Sequence, residues 1–440
     1  MRISVIGCGY LGAVHAVAMT KLGHEVVAVD IDETRISLLA SGRAPFFEPG
    51  FDDLLAQGLA SGSLSFTTDF AATDTCEVHF LAVGTPQAAD SNAADLSYVR
   101  AALDSLIPHL ADDSLVVGKS TVPVGTAADL AAVLAKQAPG TSLAWNPEFL
   151  REGFAIEDTL EPDRIVYGVS DDSAGARDAA RLDEIYAKAL ANGTPRIITD
   201  YATAELVKVA ANAFLATKIS FINAMAEISE VVGADVTHLA DAIGHDARIG
   251  RRFLNSGVGF GGGCLPKDIR AFSARAEELG VGRSVAFLHE IDAINLRRRD
   301  RVIELTVDSL GGDTSGKRVA VLGASFKPNS DDVRDSPALS IAARLLSLGA
   351  DVVVTDPEAL QNARLKHPEL NFESDVSETL RDADVVLLLT EWAPYRGLDP
   401  QESLQLMRRP DNQPTIIDGR NCLEPARWKA AGWNYRGLGR

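Results

Sequence analysis

The feature that most constrains the fold is a glycine-rich turn between a strand and a helix at the start of the chain. Arg2–Ile6 is an apolar run that predicts a strand, and Gly7-Cys8-Gly9-Tyr10-Leu11-Gly12 follows it directly. Residues 13–21 predict a helix, and Glu25–Val29 predicts a second strand that closes on Asp30. A lone GxGxxG pattern is weak evidence, but here it has the strand, helix and acidic residue that dinucleotide binding requires.

Each glycine of this turn has a physical task in a nucleotide site. Gly7 permits the tight turn, Gly9 lets a pyrophosphate approach the backbone, and Gly12 lets the helix pack on the strand. The phosphates are expected at the helix N-terminus, where free N–H groups favour anions. Asp30 is expected to bind the ribose hydroxyls and to repel a 2′-phosphate, which predicts NAD rather than NADP. The alternative is a glycine turn in an unrelated βαβ unit.

The chain continues as alternating strands and helices. Apolar runs at 78–83, 115–118, 143–145 and 165–169 predict strands, with helices such as 96–110 and 126–137 between them. This alternation is typical of a parallel sheet that binds ligands at the carboxyl ends of its strands.

Three loops at predicted strand ends carry candidate site residues. The first is expected to line the cofactor, the second places two hydroxyls at a strand exit, and the third places two carboxylates around an arginine. Singly, each has a plain alternative, because the hydroxyls can cap the next helix and the charged residues can be solvated surface. The three sets are Gly84, Thr85 and Pro86; Ser120 and Thr121; and Glu148, Arg151 and Glu152.

The middle of the chain predicts long helices. Residues 203–232 contain few helix breakers, and Lys208 and Asn212 share one face because they lie four residues apart. A lysine on a helix is usually surface, but an asparagine within an alanine-rich helix is less comfortable there. A second long helix is predicted over 271–310, and its basic run 297–301 is expected to be solvated or to face another subunit.

The last part of the chain loosely repeats the opening unit. Residues 317–322 predict a strand ending in glycine, but the fingerprint is lost and Lys327 and Arg334 enter the turn. Basic residues in place of glycines suit a second, phosphorylated ligand; the alternative is a structural duplicate. The predicted fold is therefore α/β, with two Rossmann-like doubly wound parallel-sheet domains (1–200 and 311–440) joined by a central long-helix domain (201–310).

One stretch of the central region does not read as helix or strand. Val258-Gly259-Phe260-Gly261-Gly262-Gly263 delivers Cys264, and Lys267 and Asp268 follow closely. Glycine-rich backbone of this kind predicts a loop that comes close to a ligand or to other backbone. By itself, Cys264 reads as a buried free cysteine beside a tight turn.

Composition limits the classes of partner. The 440 residues carry a net charge of −19, which argues against nucleic acid or an anionic membrane as a general partner. The four cysteines, Cys8, Cys76, Cys264 and Cys422, have no metal-ligand spacing and predict free thiols in a reducing compartment. No signal-peptide pattern and no apolar run near the membrane-spanning length is seen, so a cytoplasmic protein is expected.

Taken together, these motifs resemble those of the UDP-glucose/GDP-mannose dehydrogenase family, most of all its branch that oxidises UDP-glucose. The resemblance rests on several motifs in the family's order along the whole chain. Gly263 is a small departure, because family members often carry serine there, and we expect the chemistry to be unchanged. The motifs are residues 7–12, 146–150, 208–212, 259–268 and Asp418-Gly419-Arg420.

The resemblance implies oxidation of a sugar 6-hydroxyl to a carboxylate with two NAD per turnover, through a cysteine-bound intermediate. Cys264 is implied as the nucleophile and Glu148 as the general acid/base of thioester hydrolysis. Lys208 and Asn212 are implied as donors to the oxyanion. Asp268, with Thr121, is implied to hold or deprotonate the reacting hydroxyl and the water.

The same resemblance implies the ligand contacts. Further cofactor contacts are expected from Arg35, Thr85, Ser120, Glu152, Lys267 and Arg334. The nucleotide sugar is expected to contact Glu148, Phe149, Leu150, Arg151, Lys208, Asn212, Asn255, Phe260, Gly261, Phe326, Lys327 and Arg420. Arg248 matches a residue that related enzymes supply from a neighbouring subunit, so at least a homodimer is expected.

Three other interpretations remain open at this point. The first is a sibling enzyme acting on GDP-mannose or UDP-N-acetylmannosamine, because no spacing rule distinguishes the stereochemistry of a sugar. The second is a dehydrogenase that stops at a carbonyl and needs no cysteine. The third is a catalytically silent nucleotide-sensing protein, which the joint presence of Cys264, Lys208, Asn212, Asp268 and Glu148 disfavours.

Overall fold

The protein forms two compact α/β units. A computed structural model of the chain describes residues 1–408 and 413–440. The first unit comprises Met1–Ala211 with Ala274–Gly282, and the second comprises Asn212–Ser273 with Arg283–Arg440. The predicted fold class, two doubly wound sheets with long helices between them in the chain, is confirmed. The predicted three-part division at residues 200 and 310 remains a prediction.

The first unit is built on an eight-stranded sheet. Its strand order is β3-β2-β1-β4-β5-β6-β7-β8, so the direction of winding reverses between β1 and β4. The sheet is parallel except where β6 meets β7. The strands are β1 (Arg2–Ile6), β2 (Glu25–Val29), β3 (Leu64–Thr67), β4 (Val78–Leu81), β5 (Leu115–Gly118), β6 (Ser142–Trp145), β7 (Ile165–Gly168) and β8 (Arg196–Thr199).

Helices cover both faces of this sheet. The central strands are buried on both sides, as their continuous apolar sequences predict. Short 3-10 helices span Phe70–Thr73 and Ile107–His109. The α-helices are α1 (Tyr10–Leu22), α2 (Glu33–Ala40), α3 (Phe51–Ala60), α4 (Ser97–Leu106), α5 (Thr126–Gln137), α6 (Ala155–Leu160), α7 (Ser173–Ile185) and α8 (Ala187–Ala191).

The second unit repeats the winding of the first on a smaller scale. Its six strands are ordered β11-β10-β9-β12-β13-β14 and are all parallel. This order matches the first six strands of the other sheet, so the loose sequence repeat reflects a repeated topology. The strands are β9 (Arg318–Leu322), β10 (Asp351–Thr355), β11 (Asn371–Phe372), β12 (Val385–Leu388), β13 (Thr415–Asp418) and β14 (Asn434–Gly437).

A continuous helix, α9, runs from Tyr201 to Val232 and contains both Lys208 and Asn212, as predicted. By length and composition α9 is also apolar enough to cross a membrane, although 44% of its most apolar window is buried within the protein, as in a core helix. The other helices are α10 (Val236–Gly244), α11 (Leu265–Glu278), α12 (Phe287–Ser309), α13 (Pro337–Ser347), α14 (Leu360–Lys366), α15 (Val376–Leu380), α16 (Ala393–Arg396), α17 (Pro400–Leu406) and α18 (Pro425–Ala430), with a 3-10 turn at Gly282–Val285.

The single long helix predicted over 271–310 is wrong. The structure has two helices there, α11 and α12, separated by residues 279–286. Gly280 adopts a left-handed φ of 77°, which an α-helix cannot accommodate, and the 3-10 turn follows it. The apolar periodicity on either side hid this break.

The basic run 297–301 on α12 was predicted to be solvated or to face another subunit, but two of its arginines are buried within the chain. Arg298 is fully buried and forms a 3.2 Å ion pair with Glu230 of α9. Arg299 is also buried and forms a 2.9 Å ion pair with Asp335. Because buried charges require partners, these arginines act as internal ties between α12 and its neighbours.

Candidate active site

The turn between β1 and α1 has the geometry of a phosphate-binding turn. Gly7 has a φ of 95°, and a Cβ there would lie 2.7 Å from Val83. A Cβ at Gly12 would lie 1.7 Å from the carbonyl oxygen of Gly7, so only glycine lets α1 pack this close. Around Gly9, by contrast, the space is open to 4 Å, and no side chain caps the N-terminus of α1. This open, uncapped helix start fits a pyrophosphate. Cys8, Tyr10 and Leu11, the other residues of the predicted turn, lie between its glycines.

Asp30 lies at the end of β2 beside this turn, where a ribose is expected. Its carboxylate accepts hydrogen bonds from the backbone N–H of Cys8 at 2.6 Å and of Asp32 at 2.9 Å. Arg35 forms a 3.0 Å ion pair with the same carboxylate. The structure therefore brings three of the predicted cofactor residues, Cys8, Asp30 and Arg35, into direct contact.

Two hydrogen bonds join the loops that follow β4 and β5. The Ser120 hydroxyl donates to the carbonyl of Val83 at 2.6 Å, and the Thr85 hydroxyl donates to the carbonyl of Thr121 at 2.7 Å. The N-cap residue of α5 is Gly125, and neither Ser120 nor Thr121 caps this helix, so the capping alternative for these two residues is wrong. The cap is supplied by the buried Glu205 of α9, which accepts from the N–H groups of Gly125 and Ala127, both at 2.7 Å. Gly84, beside Pro86, is open to 4 Å.

The carboxylate of Glu148 is held on both oxygens. One oxygen accepts from the N–H groups of Phe149 at 2.7 Å and Leu150 at 3.1 Å. The other forms a 3.0 Å ion pair with Lys119, whose side chain is buried. Glu148 is 15% exposed, so this fixed carboxylate can still be reached from solvent.

The later part of this loop is fixed by a residue that lies 105 positions earlier in the chain than Gly153. Glu48, in the loop before α3, accepts from the N–H groups of Gly153 at 2.6 Å and Ala155 at 2.7 Å, and it also accepts from the Tyr10 hydroxyl. Arg151 is exposed, and its guanidinium forms a bidentate pair with Asp158 of α6, which also accepts from the Arg151 N–H. Glu152 lies between Arg151 and Gly153, whose backbone N–H groups both donate to carboxylates. The Asp158 hydrogen bonds raise the pKa of Arg151.

Lys208 lies close to this loop within the first unit. Its ammonium nitrogen is 5.5 Å from the centre of the Phe149 ring, and the Arg164 guanidinium lies 3.8 Å from the same ring. The structure therefore brings together two predicted regions, the loop from Glu148 to Leu150 and the lysine on α9. Attraction between a cation and a ring face fixes where the lysine can point.

In the second unit, the glycine-rich loop is packed so tightly that side chains would collide at three successive positions. A Cβ at Gly261 would lie 2.3 Å from the Asp335 carbonyl oxygen, at Gly262 2.8 Å from the Phe326 ring, and at Gly263 2.2 Å from the Arg334 guanidinium. Phe326 and Arg334 thus lie against the loop, and the Lys327 ammonium lies 5.3 Å from the centre of the Phe326 ring.

Cys264 follows this loop at the start of α11 and is exposed. Its carbonyl accepts the first helical hydrogen bond, from the N–H of Asp268 at 2.9 Å. The reading of Cys264 as a buried structural cysteine is therefore wrong, whereas Cys8 and Cys76 are buried free thiols and Cys422 is a partly buried one. Burial raises the pKa of Cys76 to about 11, so that thiol is poorly suited to nucleophilic attack.

Asn212, Lys267 and Asp268 form one polar cluster behind the cysteine. The Asn212 amide donates to one Asp268 oxygen at 2.7 Å, and the Lys267 ammonium lies 2.6 Å from the other. Asn212 and Asp268 are both buried. The structure therefore joins Asn212 to two predicted residues, Lys267 and Asp268, that lie far from it in the chain.

Other predicted substrate residues have different surroundings. Arg420 donates to the carbonyls of Gly259, Phe326 and Leu389 at 2.8–3.0 Å, which ties the cysteine loop to its neighbours. Asn255 accepts from Arg251 at 2.7 Å. Arg248 is 89% exposed and forms an ion pair with Asp246.

Several residues that hold this machinery were missed from the sequence. They include Lys119, Glu48 and Asn295. The Asn295 side chain accepts from the Phe260 N–H at 2.7 Å and donates to the Phe260 carbonyl at 2.9 Å. A buried asparagine on an otherwise amphipathic helix was the only local signal for Asn295. Within residues 1–408 and 413–440, no group of three or more His, Cys, Asp or Glu side chains is arranged to hold a metal ion.

Comparison with known proteins agrees with this arrangement. The three domain profiles of the UDP-glucose/GDP-mannose dehydrogenase family match in order: the NAD binding domain at residues 1–190, the central domain at 202–297 and the UDP binding domain at 320–425. The chain is 41% identical over 443 residues to a UDP-glucose 6-dehydrogenase of Rhizobium meliloti, with 100% of both chains covered.

Solved structures show the same similarity. A UDP-glucose dehydrogenase from Pyrobaculum islandicum has a TM-score of 0.89 and 38% identity, covering 100% of this chain and 97% of that one. A UDP-D-ManNAc dehydrogenase from Pyrococcus horikoshii has a TM-score of 0.86 and 26% identity, covering 100% and 99%. With its NAD-binding turn, its cysteine loop and its whole length accounted for in this way, the chain belongs to the UDP-glucose/GDP-mannose dehydrogenase family.

Proposed function

We propose that the protein oxidises UDP-glucose to UDP-glucuronate with two NAD, through a thioester on Cys264. The observation that carries the substrate is the 41% identity to a UDP-glucose 6-dehydrogenase along the full length of both chains. The observation that supports the mechanism is the exposed Cys264 at the start of α11, beside the Asn212–Asp268–Lys267 cluster.

NAD, when bound, would supply the oxidising power, with one molecule taking the hydride in each of the two oxidations at carbon 6 of the sugar. Between them the Cys264 thiolate adds to the aldehyde carbon, and a C–S bond forms while the carbonyl becomes a thiohemiacetal oxygen. After the second oxidation the sugar is held as a thioester. Water then adds to the thioester carbonyl, the C–S bond breaks, and the carboxylate and the thiolate are released.

The side chains of the site suit these steps. A helix N-terminus favours an anion, so the start of α11 stabilises a thiolate at Cys264. Lys208 and the Asn212 amide provide donors where negative charge develops on oxygen. Asp268, fixed by Asn212 and Lys267, is the proposed acceptor for the proton of the reacting hydroxyl, with Thr121 beside the substrate. Glu148 is the proposed general base for the water.

The decisive measurement is the amount of NADH formed per UDP-glucose consumed. The proposal predicts a ratio of two, because both oxidations occur before release. A ratio of one with accumulation of a sugar aldehyde would show a single-step dehydrogenase. Tight NAD binding without any turnover would show a nucleotide-sensing protein.

Substitution of the cysteine tests the covalent step. Cys264→Ser is expected to lower NADH production by at least about a hundredfold, because a serine hydroxyl is a far weaker nucleophile at neutral pH. Cys422→Ser is the matched control, since this partly buried thiol lies outside the proposed chemistry and its substitution should preserve turnover. Full activity of Cys264→Ser would exclude the thioester route.

The same reaction on another nucleotide sugar is the second candidate. The observation that favours it is the TM-score of 0.86 to a UDP-D-ManNAc dehydrogenase over the whole chain. Initial rates with UDP-glucose, GDP-mannose and UDP-N-acetylmannosamine, each with NAD, separate the two candidates. Preferential turnover of either of the last two would replace UDP-glucose as the substrate.

We also propose a homodimer or higher homo-oligomer. Phe214, Phe221 and Ile228 recur every seven residues on α9 and are 66%, 47% and 54% exposed, so they form one apolar stripe on the helix. Light scattering of the purified protein tests this, with Phe221→Glu as the disruptive variant. A monomer at micromolar concentration would contradict the proposal and the assignment of Arg248 to a neighbouring subunit.

A further inference from the structure

A buried lysine of the first unit lies outside every role assigned so far. Lys119 follows β5, and its side chain is only 4% exposed. Its ammonium nitrogen is 3.0 Å from a Glu148 oxygen, 3.0 Å from the Asn146 side-chain oxygen and 3.3 Å from the Tyr186 hydroxyl oxygen. A lysine ammonium has three N–H donors, so these three contacts use its full capacity.

The surroundings hold the lysine in a single orientation. The Tyr186 hydroxyl donates to the Asn146 oxygen at 2.7 Å, and the Asn146 amide donates to the Val166 carbonyl at 3.0 Å. The ring centres of Phe80 and Tyr186 lie 6.0 and 5.9 Å from the ammonium. Burial, reinforced by the charge of Glu148, raises the pKa of Tyr186 well above its usual value, so Tyr186 remains a neutral hydroxyl.

We propose that Lys119 is a positioning residue that aims the Glu148 carboxylate as the general base of thioester hydrolysis. This inference rests on the proposed function. The Lys119 ammonium fixes one carboxylate oxygen, and the backbone N–H groups of Phe149 and Leu150 fix the other. With both oxygens held, the plane of the carboxylate is fixed, and so are the directions of its remaining lone pairs.

In the step concerned, the oxygen of a water molecule bonds to the thioester carbonyl carbon while Glu148 takes one of its protons. Collapse of the tetrahedral intermediate breaks the C–S bond and returns the electron pair to the Cys264 sulfur. No electrons leave the system, because both oxidations are complete. An ionised Glu148 performs this step, whereas a protonated one cannot accept the proton.

The other charged or titratable groups near the pair are few. His15 on α1 packs edge-on against Phe80 with ring centres 4.5 Å apart, and its burial lowers its pKa well below the usual value, so it stays neutral. Arg164 and Lys208 lie against the Phe149 ring, whereas Lys119 forms the ion pair with the Glu148 carboxylate.

The test compares Lys119→Met, Glu148→Gln and the double variant by rapid-quench kinetics with UDP-glucose and NAD. Lys119→Met is expected to form a burst of about two NADH per active site and then turn over about 10 to 100 times more slowly than the parent enzyme. Mass spectrometry of the quenched variant should find the sugar acyl group on Cys264. The kcat/KM for UDP-glucose should stay within about threefold, so that KM falls together with kcat, because hydrolysis follows both oxidations and the formation of the thioester.

The double variant separates positioning from a merely structural role. If Lys119 acts through Glu148, then Lys119→Met adds no further slowing of hydrolysis in a Glu148→Gln background, because removing both partners leaves no uncompensated charge. Additive losses, or a kcat/KM that falls as far as kcat in Lys119→Met, would overturn the proposal. Should Lys119→Met not fold, Tyr186→Phe provides the same test with a smaller slowing of hydrolysis.

Failure of this inference is distinguishable from failure of the proposed function. If the parent enzyme forms two NADH per UDP-glucose but Lys119→Met hydrolyses its thioester at the parent rate, only the role of Lys119 is wrong. If the parent enzyme forms one NADH, or if Cys264→Ser retains full activity, the thioester mechanism is wrong, and this role of Lys119 is wrong with it.

Discussion

The Asn212 amide and the Asp268 carboxylate are joined by a 2.7 Å hydrogen bond although they lie 56 residues apart in the chain. Both side chains are buried, and Lys267 holds the second Asp268 oxygen. The bond orients the amide, so its remaining donor has a defined direction. A donor that is fixed before the reaction begins is what stabilisation of a developing oxyanion requires.

Asn212→Ala tests this relationship. The variant leaves one buried carboxylate oxygen without its donor, which is expected to lower the free energy of unfolding by about 1–3 kcal/mol. Turnover is expected to fall by about a hundredfold or more, because a donor to the oxyanion is also lost. Urea unfolding and steady-state rates measure both. Thr203→Ala, an exposed site near the start of the same helix, is the control; equal losses in the two variants would contradict the prediction.

Glu48 is expected to control the order of the loop from Gly153 to Ala155. Glu48→Gln replaces one of its accepting oxygens with an amide donor, which then faces a backbone N–H. Hydrogen exchange of the Gly153 and Ala155 amides should accelerate by about tenfold or more, because the loss of a charged acceptor costs about 1.5–3 kcal/mol. Glu33→Gln on α2 is exposed and serves as the control. Unchanged protection in Glu48→Gln would show that other contacts order the loop.

Acid is expected to destabilise the first unit through His79. This histidine is buried in β4, its Nδ1 lies 2.8 Å from the Ser4 hydroxyl, and burial lowers its pKa to about 4. The unfolded chain takes up this proton near pH 6.5, whereas the folded chain does so only near pH 4, so the stability is complete above about pH 6.5 and is lost as the pH falls through this window. The difference amounts to roughly 3 kcal/mol.

Urea unfolding at pH 7.5 and pH 5 measures this effect. His79→Asn is expected to reduce the pH dependence over this range, leaving the separate contributions of His15 and His24, whose pKa values burial also lowers. His238→Asn removes an exposed histidine and should leave the pH dependence as it is in the parent protein. An equally steep loss of stability in His79→Asn would show that His79 is not responsible.

Two adjacent glycines of the cysteine loop are expected to respond differently to a side chain. Gly262 has a φ of 85°, and a Cβ there would meet the Phe326 ring at 2.8 Å, so Gly262→Ala should lower the free energy of unfolding by about 2 kcal/mol or more. At Gly263 the obstacle is the guanidinium of Arg334, the end of a flexible side chain, so Gly263→Ala should cost less than about 1 kcal/mol.

Gly263→Ser extends this comparison to activity. It should keep the turnover within about threefold, because the displaced group is a side-chain terminus and not the cysteine backbone. Urea unfolding and NADH production measure all three variants. If Gly262→Ala and Gly263→Ala lowered the free energy of unfolding equally, the backbone strain at Gly262 would not matter more than the displacement of the Arg334 side chain at Gly263.

Much of the fold was accessible from the sequence because its signals are local. The predicted bounds of β1 and β2 agree with the structure, since an apolar strand, a glycine turn and a helix start are each encoded within a few residues. The break between α11 and α12 was not predicted, because glycines such as Gly280 and Gly282 between two apolar periodic segments are compatible with either a bend or a continuous helix.

Sequence motifs alone determined the nucleotide-binding turn, the doubly wound fold and the position of Cys264 after a glycine-rich loop. Only the tertiary structure decided that Lys119 forms an ion pair with Glu148 and that the buried Arg298 forms one with Glu230. It likewise decided that Glu48 anchors a loop 105 residues away. Glycine conformations and apolar periodicity act between near neighbours in the chain, whereas the partner of a buried charge depends on which distant segments the sheets bring together.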